Sequence, residues 1–261
     1  VGLLALATVA TPAAADDAAR LWVLHALPGA TADVWVDGER VLDDVAPGAL
    51  AGPLDLPAGT VTLTVTVADA SDLGSPVVGP LDVPLTTGEA ATAVAHLDTD
   101  GTPTATLFPD DTSPTAAGEG RLTVRHVAAA PPVDVLVGGD VVVTGLVGSR
   151  ERSLALPAGT VSTTVTANGD PVLGPVDLPV AEGTSTVAYA WGRLDGGTLA
   201  LATQSIDAAP AVPPSVRAGL VTEPVGPSVP AWSYALVAMA AVLVLAAAGR
   251  TRTARRVRSR G

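Results

Sequence analysis

The chain has 261 residues, a formal net charge of −12 and no cysteine, which excludes disulfides, thiol catalysis and thiolate metal sites. Aromatic residues make up only 3%, so any core must be built from Val, Leu and Ala, and thin sandwiches suit that better than a large enzyme core. All 14 basic residues are Arg, a usage that, with the abundance of Ala, Gly, Pro and Val, fits a GC-rich genome.

In chain order, residues 1–15 (VGLLALATVATPAAA) form a short apolar run closing on Ala13, Ala14 and Ala15, the pattern of a signal-peptide apolar region and small-residue cleavage site without its basic start. A first unit is expected over 16–112, a linker over 113–120 and a second unit over 121–207. The division rests on a repeat: RLWVLHALPGATADVWVDGERVL at the start of the first unit returns as RLTVRHVAAAPPVDVLVGGDVVV in the second, and both copies reach LPAGT. Thr60–Val67 (TVTLTVTV) alternates Val or Leu with Thr, the period of a half-buried strand, and Thr160–Thr166 does so less cleanly. Asp37-Gly38, Asp100-Gly101, Gly138-Gly139 and Asn168-Gly169 punctuate short β-rich runs at about ten-residue spacing, as in an all-β sandwich.

Residues 208–230 are rich in Pro and read as an extended stalk. Residues 231–249 open with the charge-free run AWSYALVAMAAVLVLAAA, roughly 27 Å long at about 1.5 Å per residue, enough for a single transmembrane helix. Six Arg in the tail 250–261 then predict a cytoplasmic C-terminus, with the domains outside a cell membrane. Every acidic residue precedes the apolar run, so the part before it sets eight Arg against 26 acids, a balance of −18. Such a surface argues against nucleic acid and anionic lipid as partners.

The order His25, Asp33-Val34-Trp35-Val36, Gly38, Leu56 to Thr60, repeated as His126, Asp134-Val135-Leu136-Val137, Gly139, Leu156 to Thr160, resembles the bacterial family called domain of unknown function 4397 in two tandem copies. The resemblance implies exported, often membrane-tethered, Ig-like or transthyretin-like antiparallel β-sandwiches, and brings no catalytic residues with it.

LPAGT differs from a sortase signal in placing Gly before Thr and in lying within both units, and reads as a turn. His25 and His126 lie on the apolar side of their strands by parity, which predicts structural histidines bonded to backbone rather than a His-Asp dyad. If each such strand pairs antiparallel with the next, Leu21 lies by Val36, Val23 by Val34 and His25 by Ala32. On the outward face Trp22 then stands opposite Trp35 with Leu24 beside Asp33, while the second copy sets Thr123 against Leu136 and Arg125 against Asp134, an ordinary solvated surface. Trp22, Trp35 and Leu24 are therefore the candidate recognition or interdomain surface, the Trp pair packing against the second domain, offering a platform to a sugar ring or peptide, or simply lying under a loop. The acidic turn Asp98-Thr99-Asp100-Gly101 and the pair Asp110-Asp111 read as a hairpin turn plus linker charges rather than a Ca²⁺ site. No catalytic, cofactor or metal residue stands out.

The expectation is a membrane-anchored extracytoplasmic protein acting as a binding, spacer or cell-envelope structural module, with an envelope polysaccharide or protein as partner. The competing class is an envelope-associated hydrolase using a polar site in one domain.

Overall fold

The computed structural model describes residues 18–209. The signal-peptide, stalk, transmembrane and tail expectations lie outside the described residues, save the first two residues of the stalk. Among the described residues every regular element is a strand, and no helix is long and apolar enough to cross a membrane.

The first sandwich is made of β1 (Ala18–Ala26), β2 (Ala32–Val36), β3 (Glu39–Val45), β4 (Leu50–Pro57), β5 (Gly59–Val67), β6 (Val78–Leu85), β7 (Ala90–Leu97) and β8 (Pro103–Pro109). The second repeats it with β9 (Glu119–Ala129), β10 (Val133–Val137), β11 (Asp140–Leu146), β12 (Arg150–Pro157), β13 (Gly159–Ala167), β14 (Asp170–Val180), β15 (Thr184–Arg193) and β16 (Ala200–Asp207). Strand β9 thus begins within the stretch expected as linker. Sheet order is β4-β1-β7-β8 and β3-β2-β5-β6 in the first sandwich, β12-β9-β15-β16 and β11-β10-β13-β14 in the second. The order is the same in both copies, and it is not the immunoglobulin layout, where the first, second, fifth and fourth strands share a sheet.

This corrects the expected pairing. Strand β1 pairs antiparallel with β4 and parallel with β7, whereas β2 pairs with β3 and β5 in the other sheet. Leu21, Val23, Val34 and Val36 do meet, but across the core rather than along a ladder. Alternation alone is satisfied by either arrangement, because it states which residues turn inward and not which sheet receives them.

LPAGT makes the crossing. Leu56 and Pro57 end β4 in one sheet, Gly59 and Thr60 begin β5 in the other, and Ala58 alone lies between them. Gly59 has φ +141°, a backbone that disfavours other residues, and Ala158 repeats the corner before Gly159.

The sheets containing β1 and β9 face each other, so four layers stack. Leu24, Ala26, Val94 and Phe108 of the first sandwich pack with Val127, Val187, Tyr189, Trp191 and Ile206 of the second. Strand β7 (AATAVAHL) is buried along its whole length because it has a sheet on either side. Its small residues let those layers approach, and its lack of any Asp, Glu, Lys or Arg fits a strand covered on both faces.

Candidate functional site

The residues shared by both copies hold backbone. His25 Nε2 donates to the Ala30 carbonyl at 3.0 Å, and His126 Nε2 to the Pro131 carbonyl at 3.1 Å, each pinning the loop that leaves its strand. Burial pushes the His126 imidazole below its usual range, favouring the neutral ring, whose Nδ1 accepts the Ala128 amide at 3.4 Å. Asp33 Oδ1 accepts the Asp44 amide at 3.0 Å and Asp134 Oδ1 the Gly145 amide at 2.7 Å. Asp44 and Gly145 have φ +53° and +64° and sit at bulges of the edge strands β3 and β11, so each Asp satisfies an amide the ladder leaves over. Asp33 also meets Arg40 at 3.1 Å. Burial raises its carboxyl, but the bonds from the Asp44 amide and Arg40 outweigh that and hold it below the ordinary carboxylate range.

The densest polar cluster lies between the sandwiches. Arg125 does not lie on a solvated surface opposite Asp134: it is 1% exposed, and Asp134 is in another sheet. Its Nε donates to Glu151 at 2.7 Å, Nη1 to the Tyr189 hydroxyl at 2.8 Å, and Nη2 to Asp110 Oδ1 at 2.9 Å. The guanidinium lies over the Phe108 and Tyr189 rings, 4.7 and 5.4 Å from their centroids. Asp110 is therefore a buried interdomain partner and not a linker charge. The Tyr189 hydroxyl donates to Gln204 Oε1. Thr92 Oγ1 lies 2.8 Å from Asp110 Oδ2 and 3.2 Å from Gln204 Oε1.

One hydroxyl proton cannot serve both acceptors of Thr92. It goes to the nearer of the two, Asp110 Oδ2. Burial pushes the Asp110 carboxyl up in spite of Arg125. Burial also pushes the Tyr189 phenol up to about 12.

The cluster is built from positions that diverged between the copies. Register places Leu24 beside Val94 where the second copy has Arg125 beside Tyr189, and Thr92 beside Phe108 where it has Val187 beside Gln204. Two residues further along the chain from Phe108 and from Gln204, Asp110 answers to Ile206. Polar positions of one copy thus meet polar positions of the other, with apolar counterparts alongside.

The candidate surface Trp22, Trp35 and Leu24 is divided by the fold. Leu24 is fully buried in the interdomain core. Trp22 shares its face of β1, half-buried, with the Arg20 guanidinium 5.9 Å from its ring. Trp35 does not oppose Trp22: its neighbours Val34 and Val36 face the first core, so its ring lies on the outer face of the other sheet, turned away from the second sandwich. There Nε1 donates to Thr66 at 3.0 Å and Arg40 stacks 5.7 Å from the ring. The indole at the interdomain face is Trp191, which covers Gly48 of the loop between β3 and β4.

On the same outer face a cavity of about 430 Å³ is lined by Asp37, Thr62, Thr64, Leu73 and Pro80. Leu73 comes from the loop 68–77 between β5 and β6, where the second copy turns through 168–169. Asp98 Oδ1 accepts the Asp100 and Thr102 amides, which makes the acidic turn self-contained. Among the described residues no group of three or more His, Asp or Glu is placed to hold a metal ion.

A domain of the family described as "Domain of unknown function (DUF4397)" is found at residues 19–136, a stretch that takes in nearly all of the first sandwich and runs into β10 of the second. No curated protein matches the chain. Among solved structures it is similar to a protein of Bacteroides ovatus ATCC 8483 described as a candidate cell adhesion protein, at 10% identity and a TM-score of 0.24, over 73% of this chain and 98% of that one.

Proposed function

We propose that the protein is an extracytoplasmic module of the cell envelope, in which two copies of one transthyretin-like sandwich domain are carried outside a single membrane anchor and bind or space an envelope polysaccharide or protein. The observation that carries this reading is the face between the sandwiches. Arg125, Asp110, Tyr189 and Gln204 are buried there and bonded to one another, so the most concentrated polar chemistry among the described residues is engaged in joining two domains. A block joined in this way presents its outer faces at a set distance, which suits a spacer or a binding module.

The second sandwich is read as another copy of the same domain because it repeats the strand order, the His-to-carbonyl bond and the Asp-to-bulge bond. The anchor is supported by the charge-free run within 231–249 and the six Arg that follow it. Expression of the full chain in a bacterial host, with a fluorescent reporter after Gly261 that matures only in the cytoplasm, tests the reading. The expected result is a fluorescent membrane fraction from which external protease releases the sandwiches. Recovery of the chain in the soluble cytoplasmic fraction would refute it.

A further inference from the structure

At the open edge of the second sandwich, between β11 and β12, a cavity of about 390 Å³ is lined by Thr144, Gly145, Leu146, Val147, Arg150 and Arg152. The two Arg alternate on β12 with Glu151, which turns to the interdomain face to meet Arg125. Two residues along a strand span roughly 6.6 Å, so both guanidinium stems rise from one side of the cavity at a spacing that can straddle a single oxyanion. We propose that this cavity binds a compact oxyanionic ligand, a carboxylate or phosphate group carried on a small polar unit of about the size of one sugar ring.

Charge balance supports the choice of ligand. In a chain of net charge −12, three of the seven described Arg, Arg40, Arg121 and Arg125, each meet a carboxylate, while Arg20 lies over the Trp22 ring and Arg193 donates to the Gly101 carbonyl. Arg150 and Arg152 meet none within ion-pair distance among the described residues, and no carboxylate lines their cavity. The carboxylate bonded to the cavity's backbone, that of Asp134, accepts the Gly145 amide. Two neighbouring cations repel each other, and an anion between them removes that cost.

The fold does not require the pair. Val124 faces Arg152 in register where the first copy sets Val23 against Ala51, and His126 faces Arg150 where the His25 amide bonds the Ala49 carbonyl. Two Ala in one copy have become two Arg in the other, at positions where Ala suffices for folding. Exposed Val147 offers an apolar contact beside the charges. The acidic surroundings select for size: a polyanion is repelled by the surface as a whole, whereas a compact anion is governed by the two nearest charges.

Isothermal titration of the full chain in nonionic detergent at low salt, with D-glucuronate, inorganic phosphate and neutral glucose as separate probes, tests the proposal. The expected result is saturable binding of glucuronate or phosphate and none of glucose, weakening as NaCl is added. Glucuronate alone identifies the carboxylate source, and phosphate alone the phosphate source. R150A/R152A restores the residues of the first copy and should melt with the wild type while losing affinity about tenfold or more, since each charge-assisted bond contributes on that scale. R150Q/R152Q supplies the same comparison with the side-chain stems retained. Absence of saturable binding by both anions, or binding that survives loss of both guanidinium groups, would overturn it.

Discussion

Arg125 of the second sandwich meets Asp110 of the first at 2.9 Å, with side chains 2% and 0% exposed. The pair joins two domains that repeat one topology. Removing one partner strands the other's charge in a dry interface, so R125A is expected to cost about 3–5 kcal/mol. The register supplies a gentler replacement: R125L with D110I installs the residues the opposite copy uses at those positions. That double variant should approach wild-type stability, because exchanging a buried ion pair for packed apolar side chains is often neutral. Urea midpoints of the full chain for both single variants and the double variant measure the coupling, and costs that simply add would contradict the pairing.

The same carboxyl predicts an unusual response to pH. Burial raises the Asp110 carboxyl above its ordinary value of 3.8, even beside Arg125. A raised value in the folded state means that the stabilisation is complete below the unfolded value and is lost as pH rises through the folded one. The stability of the wild type relative to D110N should therefore decline from acid toward neutral pH. Asp33 is held below 3.8, so its contribution is present above the unfolded value and lost as pH falls through the folded one. D33N should accordingly lose its deficit only in strong acid. Melting temperatures of the three proteins across pH separate the two directions.

The sequence shows the repeat, the β period, the LPAGT corner and the inward His because each is a local property of a strand or turn. It does not show which sheet a strand joins, since Leu21 and Val23 meet Val34 and Val36 equally well beside them or across a core. That ambiguity misplaced Trp22 against Trp35 and sent Arg125 to the surface. A usable signal was present in AATAVAHL and in the β15 segment TVAYAW, where small or apolar residues occupy both faces. A strand segment with no Asp, Glu, Lys or Arg on either face is suited to a layer on each side of it, and the second layer here is the other domain.

Trp191 and Trp35 should behave oppositely. Trp191 is 9% exposed in the interdomain core, and a Cβ on Gly48 would come within 2.7 Å of its Cζ2. W191A is expected to cost about 3 kcal/mol, as for a large aromatic removed from a core. G48A should disturb the same contact from the other side, since Gly48 also has φ +80°. Trp35 lies half-buried on an outer face, so W35A should shift the unfolding midpoint by less than about 1 kcal/mol and leave the Trp191 fluorescence intact. Emission spectra and urea midpoints of the three variants check this.

The bulge-holding aspartates give a graded pair. Asp134 accepts the Gly145 amide and makes no ion pair among the described residues, so D134A should cost about 0.5–1.5 kcal/mol, the usual net contribution of one hydrogen bond at an exposed amide that water can reach. Asp33 holds the Asp44 amide and also the Arg40 guanidinium, which rests on the Trp35 ring. D33A should therefore cost more than D134A and in addition release Arg40 from its stack. Amide hydrogen exchange provides the local readout: faster exchange at Asp44 in D33A and at Gly145 in D134A, with β7 and β15 still protected. If exchange accelerated throughout both sandwiches instead, the carboxylates would be supporting the whole core and not the edge-strand bulges they touch.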